Sequence, residues 1–169
     1  MEKIWGYQDA CSSVVMSAIG GRFALGVFVV LGPRLGKFSQ DGTPRDILPH
    51  NPWLVCVGLF IIYTGFWGFY VACKVPAISP EGIGGLIKGE TWTATTIYLT
   101  PTTLGAITFN FLMSLSGGMM MAFMLSKGDA FWTYSGGLAG IITASAGNDL
   151  YHPIQAMILG GIGTFIAYK

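Results

Sequence analysis

Residues 104–126 read LGAITFNFLMSLSGGMMMAFMLS, a stretch of 23 residues without a charged side chain. A helix needs about 20 mainly apolar residues to cross about 30 Å of hydrocarbon. Because lipid offers no hydrogen bonds to an open backbone, a spanning segment must pair its peptide groups internally. The stretch therefore predicts a transmembrane helix, and the fold depends on how many similar stretches flank it.

Four further apolar passes flank this stretch. Two of them are long enough for a full crossing, and two shorter ones follow near the C-terminal end. Together the five passes predict an all-α integral membrane protein of about five transmembrane helices in one membrane domain covering residues 1–169. The passes lie near residues 9–31, 53–73, 104–126, 134–148 and 153–169.

The last two passes come from one apolar tail that is too long for a single straight crossing. Polar residues interrupt this tail at 148–152, and Pro153 follows them. Proline suits the first turn of a helix, where its missing N–H would have no partner anyway. The sequence therefore predicts a turn at 148–152 and a new helix beginning at Pro153.

Composition excludes several classes of protein. The chain is 52% hydrophobic and 10% charged, with a mean hydropathy of +0.59, whereas soluble domains carry about 25% charged residues. A net charge of +1 gives no concentrated basic face for a nucleic acid. No catalytic triad, phosphate-binding loop or paired carboxylates are visible, so we expect neither an enzyme nor a cofactor.

Cysteine and histidine spacing gives no metal site. The three cysteines, Cys11, Cys56 and Cys73, are widely separated, which indicates neither a disulfide framework nor a zinc site. His50 and His152 each lack a second ligand at metal spacing, so we interpret them as structural or solvated.

The distribution of basic residues predicts a topology. If the connection at 32–52 lies on the inner side, five Lys and Arg residues lie inside and three lie outside. This bias favours an N-out, C-in arrangement under the positive-inside rule. The inner set is Arg34, Lys37, Arg45, Lys127 and Lys169, and the outer set is Lys3, Lys74 and Lys88.

Two motifs carry a resemblance to a known family. Residues 31–51 read LGPRLGKFSQDGTPRDILPHN, with GFWGF following at 65–69, and residues 135–147 read SGGLAGIITASAG with Pro153 after them. In this order and spacing the chain resembles the Amt/MEP/Rh ammonium transporter family, over that family's helices five to nine of eleven. The resemblance implies a partial ammonium-transporter fold.

Departures from the family pattern bear on transport. Asp9 matches the family Asp of the outer ammonium vestibule, and Phe69 matches its pore-blocking Phe, but Phe66 replaces a Trp. Ser17 stands where the family has its first pore histidine. The second pore histidine would fall in the family's tenth helix, beyond Lys169. The resemblance implies that ammonium loses a proton beside that histidine pair, so we expect no autonomous pore here.

Arg22 lies near the middle of the first predicted pass, where the family carries an apolar residue. A charged side chain at that depth is costly. One interpretation is that Arg22 extends along the helix to a lipid headgroup. Others are a water-lined cavity, a bound anionic lipid, or an acidic or carbonyl group on a neighbouring integral membrane subunit. We favour the neighbouring subunit.

Three functional hypotheses follow from the resemblance. The first is a family member that has lost its pore and serves as an accessory or structural subunit of a larger membrane complex. The second is part of a split ammonium transporter that another polypeptide completes. The third is a portion of a longer transporter. No feature of the sequence selects a particular membrane, an organellar inner membrane included.

Overall fold

The structure is a computed structural model that describes residues 13–45, 47, 50–78 and 104–169, without the side chains of 13–15 and 74–78. The described residues are helical apart from turns, connections and one isolated bridge between Phe38 and Pro44. A π-helical segment comes first, followed by five α-helices and a short 3-10 turn. In chain order they are the π-helix Ser13–Ile19, α1 Gly20–Leu31, α2 Pro52–Ile78, α3 Leu104–Leu125, α4 Ala130–Ala144, the 3-10 turn Ser145–Gly147 and α5 Pro153–Tyr168.

The first helix has no buried residue. The π-helical segment runs directly into α1, and every described side chain of α1 is exposed. α1 ends at Gly32, whose φ of 72° is readily adopted by glycine and whose N–H donates to the Phe28 carbonyl at 2.9 Å. The face that α1 presents is therefore available to lipid or to another protein.

Helix starts are fixed by local hydrogen bonds. The Asn51 side chain accepts from the backbone N–H groups of Trp53 and Leu54 at 3.0 and 3.2 Å, so α2 begins at Pro52. Asp129 accepts from the Trp132 N–H at 2.9 Å and starts α4 four residues earlier than the predicted pass at 134. Both side chains satisfy N–H groups that have no partner within the helix.

The predicted turn between the last two helices is confirmed. His152 caps α5 by accepting from the Ile154 N–H at 3.3 Å, while Gln155 accepts from the His152 N–H at 3.0 Å. Pro153 is the first residue of α5. This reciprocal pairing gives His152 a structural role, in agreement with its interpretation from the sequence.

Three helices, α3, α4 and α5, pack closely through small residues. A side chain added at Gly140 of α4 or at Gly160 of α5 would meet the Ser114 carbonyl oxygen of α3. The Thr164 hydroxyl of α5 lies 2.9 Å from the carbonyl oxygens of both Gly136 and Gly160, and its single proton is shared between them. Small residues let helix backbones approach closely where lipid provides little driving force for association. These contacts form a three-helix unit.

Two of the described helices are long and apolar enough to cross a membrane, over Pro52–Cys73 and Leu104–Leu125. Met16–Leu31 and Pro153–Tyr168 are shorter apolar helices. The all-helical architecture is therefore as expected for the described residues. That all five passes cross the bilayer stays a prediction.

We predict that cysteines placed at Lys37 and Lys127 react with a membrane-impermeant reagent from the inner face, and that one at Tyr151 reacts from the outer face. The connection carrying Lys37 and the turn carrying Tyr151 would then lie at opposite ends of the passes. The experiment uses a background in which Cys11, Cys56 and Cys73 are replaced by Ala. Labelling of Lys37→Cys and Tyr151→Cys from one face would contradict the five-pass topology.

Candidate functional site

Two tyrosines attach α2 to the three-helix unit. The hydroxyl of Tyr63 donates to the carbonyl of Tyr134, and the hydroxyl of Tyr70 donates to the carbonyl of Ile141 at 2.7 Å. The Tyr70 ring also packs edge-on against Phe111 of α3, with 5.5 Å between ring centroids. Because both tyrosines are buried and seven residues apart, they fix the rotation of α2 about its axis.

This rotation turns an aromatic face of α2 toward the N-terminal helix. Phe66 and Phe69 pack edge-on with 6.5 Å between centroids, and each contacts the Tyr70 ring at 6.0 and 5.9 Å respectively. Such edge-on geometry is favourable for aromatic pairs. Phe69 remains 40% exposed, so its ring lies at the boundary of the packed region.

A cavity of about 360 Å³ lies between the π-helical segment, α2 and the C-terminal end of α4. This volume falls within the usual range for small-molecule sites, about 300–1,000 Å³. The cavity walls are mainly aliphatic and aromatic, with hydroxyl groups at three positions. The lining residues are Met16, Ser17, Ile62, Gly65, Phe66, Phe69, Tyr70, Ile142 and Ser145.

The chemistry of the cavity is that of a neutral, mostly apolar compartment. Ser145 donates to the Ile142 carbonyl at 2.8 Å, and Tyr70 donates to Ile141, so these two hydroxyls already have acceptors. None of the nine lining residues carries a charge at neutral pH. The cavity therefore favours a small neutral solute and gives an ion no compensating charge.

Three of the residues singled out from the sequence come together here. Ser17, Phe66 and Phe69 all line the cavity, although they are up to 52 positions apart along the chain. Asp9 lies outside the described residues. Arg22 does not line the cavity and is exposed on α1. That the three cavity residues are pore positions stays a prediction.

Sequence reasoning did not identify Met16, Ile142 or Ser145 as cavity residues. The family motif points to Ser17 alone, whereas its neighbour Met16 also lines the cavity. Both residues belong to the π-helical segment Ser13–Ile19. Ile142 and Ser145 lie in the second family motif, at 135–147, and that motif is the one feature of the sequence that could have pointed to them as cavity residues.

The described residues contain no group of three or more His, Cys, Asp and Glu side chains that could hold a metal ion. Among the described residues that line the cavity, the side-chain heteroatoms are three hydroxyl oxygens and one thioether sulfur. Hydroxyls and a lone thioether make a poor donor set for a divalent metal.

Comparison with known proteins gives a consistent result. The sequence model described as Ammonium Transporter Family matches residues 1–169. Ammonium transporter Amt2 of Methanocaldococcus jannaschii is 32% identical over 173 residues, which cover 98% of this chain and 36% of that protein. Ammonium transporter Amt2 of Archaeoglobus fulgidus is 32% identical over 163 residues, which cover 96% of this chain and 31% of that protein.

A plant protein, ammonium transporter 1 member 2 of Oryza sativa subsp. japonica, is 28% identical over 161 residues, which cover 95% of this chain and 32% of that protein. The chain thus spans about a third of the length of the curated relatives it matches. No solved structure gives a significant match.

Proposed function

This chain belongs to the ammonium transporter family, and from that premise we propose that it does not conduct ammonium by itself. The family consists of integral membrane transporters and not enzymes. We place this chain in a larger membrane protein complex, where it acts as an accessory or structural subunit beside other integral membrane proteins.

The observation that carries this proposal is the chemistry around Ser17. None of the nine described residues that line the cavity accepts a proton from ammonium near neutral pH. Histidine is the side chain suited to that task, because its unperturbed pKa is about 6.5. A charged ion pays a large penalty in an apolar compartment. Ammonium therefore has no means of becoming neutral ammonia at this position.

Arg22 supports the assignment to a complex. It lies midway along the helical stretch Ser13–Leu31, with apolar residues on most sides. The acidic residues among the described part of the chain are Asp41, Asp129 and Asp149, and all three lie in connections between helices. A carboxylate or carbonyl on a neighbouring subunit would pair with Arg22, and an anionic lipid is the competing partner.

A split ammonium transporter is the second candidate function. Its support is that Ser17, Phe66 and Phe69, the positions for which the resemblance implies a pore role, line one cavity. Another polypeptide would then supply the remaining wall together with the proton-accepting groups. The two candidates differ in whether ammonium uptake appears when that polypeptide is present.

We predict that this chain, expressed alone in cells that lack their own ammonium transporters, fails to rescue growth on low ammonium. Ser17→His fails as well, because none of the other eight lining residues is a histidine that could complete a pair. Uptake of radiolabelled methylammonium by the same cells measures transport directly. We expect uptake at the level of cells carrying an empty vector.

The control is a full-length ammonium transporter expressed in the same cells, which should restore growth and uptake. Membrane expression of this chain is checked by immunoblotting so that absent protein is not scored as absent transport. Rescue by the unmodified chain would overturn the proposal. Rescue that requires a co-expressed partner polypeptide would favour the split transporter.

A further inference from the structure

A buried polar site lies where α3 meets the turn between α4 and α5. Asn110 of α3 and Asn148 of the turn are 2% and 0% exposed. The Asn110 side-chain NH₂ donates to the backbone carbonyls of Asn148 and Tyr151, at 2.8 and 2.7 Å. The Asn148 side-chain NH₂ donates to the Ile107 carbonyl at 3.1 Å. The two amides are therefore neighbours, and neither lines the cavity beside Ser17.

The hydrogen bonds fix which way each amide points. Rotating the Asn110 amide by 180° would set its oxygen against two carbonyl oxygens, which donate nothing. The same rotation of Asn148 would set its oxygen against the Ile107 carbonyl. Both Oδ1 atoms must therefore point away from these carbonyls.

Neither amide oxygen has a hydrogen-bond donor among the described residues. Asn110 Oδ1 and Asn148 Oδ1 are both buried and unpaired. Leaving one buried acceptor unpaired costs about 1–3 kcal/mol. Each of these two buried, orientation-locked amides thus presents an acceptor that has no donor among the described residues.

We propose that Asn110 and Asn148 form a buried binding site for a small hydrogen-bond donor, either water or an ammonium ion. Both ligands carry more than one O–H or N–H group, so either can donate to an amide oxygen and keep a further donor for a second acceptor. The bound donor would tie α3 to the α4–α5 turn.

The test is a structure of the purified protein, with any partners that co-purify, at a resolution that shows ordered water. One sample is prepared in choline chloride without ammonium, and a second in rubidium chloride, since Rb⁺ replaces ammonium and has an anomalous signal. We expect density about 2.7–3.2 Å from the two Oδ1 atoms. Density in choline without a rubidium peak identifies water, and a rubidium peak at the site identifies a cation.

Absence of density at both oxygens in both samples would overturn the inference. Asn148→Leu provides a matched variant, because it removes one of the two oxygens and should lose the density. If this variant does not fold, the two wild-type samples still decide the question. Failure of the transport proposal would leave these results unchanged, since the site does not involve the Ser17 cavity.

Discussion

Arg22→Leu is expected to release this chain from its complex while leaving membrane insertion intact. An arginine at the centre of a membrane helix costs about 2.5–3.5 kcal/mol on insertion scales. Leucine removes this cost, so the variant should insert at least as well as the wild type. Binding to the partner subunit is what the substitution weakens, because the partner's carboxylate or carbonyl no longer pairs with the Arg22 guanidinium.

The measurement is affinity purification followed by native mass spectrometry in detergent. We expect the wild-type chain to carry its partner subunits and the Arg22→Leu variant to run without them. Arg22→Lys should retain them in part, because the Lys ammonium lacks the planar fork that pairs bidentately with a carboxylate. The control is Arg34→Leu, which makes the same chemical change at an exposed position after α1 ends.

Two outcomes would count against a partner subunit. If Arg22→Leu keeps every protein partner and loses only bound anionic lipid, the contact is to lipid. If the variant keeps its full set of proteins and lipids, Arg22 extends to the membrane surface and does not dock the chain.

Gly140→Ala should destabilise the three-helix unit by about 1–3 kcal/mol, the usual cost of overpacking a tight interior. The added methyl group would overlap the Ser114 carbonyl oxygen and lie 3.0 Å from the Gly118 Cα. Both are backbone atoms, so no side chain can rotate away and α3 must move from α4. The free energy of unfolding, measured by steric trapping in bicelles, reports this loss.

Gly26→Ala is the matched control for that substitution. Gly26 lies in α1, where nothing comes within 4 Å of an added methyl group. Alanine also has a higher helix propensity than glycine, by about 1 kcal/mol in soluble hosts. Gly26→Ala should therefore be neutral or slightly stabilising. Equal unfolding free energies for Gly140→Ala and the wild type would show that α3 and α4 leave room for a methyl group at Gly140.

The sequence alone located the helices and several of their ends. Long uncharged apolar runs predict helices because a buried backbone must pair its own polar groups. Pro153 and the polar residues before it predicted the last turn, because capping depends on residues next to one another in the chain. α4 begins at Ala130, four residues before the predicted fourth pass, because the Asp129 side chain caps it. The motifs also indicated the family that the comparisons show.

Only the tertiary structure decided which residues meet. Ser17, Phe66, Phe69 and Ser145 line one cavity. The Asn110 side chain donates to the Asn148 carbonyl in the α4–α5 turn. The sequence could not predict these contacts because its helices are apolar on nearly every side, so no hydrophobic stripe marks an inward face. The rotation of α2 is set instead by hydrogen bonds from two tyrosine hydroxyls to carbonyls 71 positions away in the chain. The packing of α3, α4 and α5 is set by glycines that allow a neighbouring backbone to approach closely. Such contacts exist only once the helices have packed.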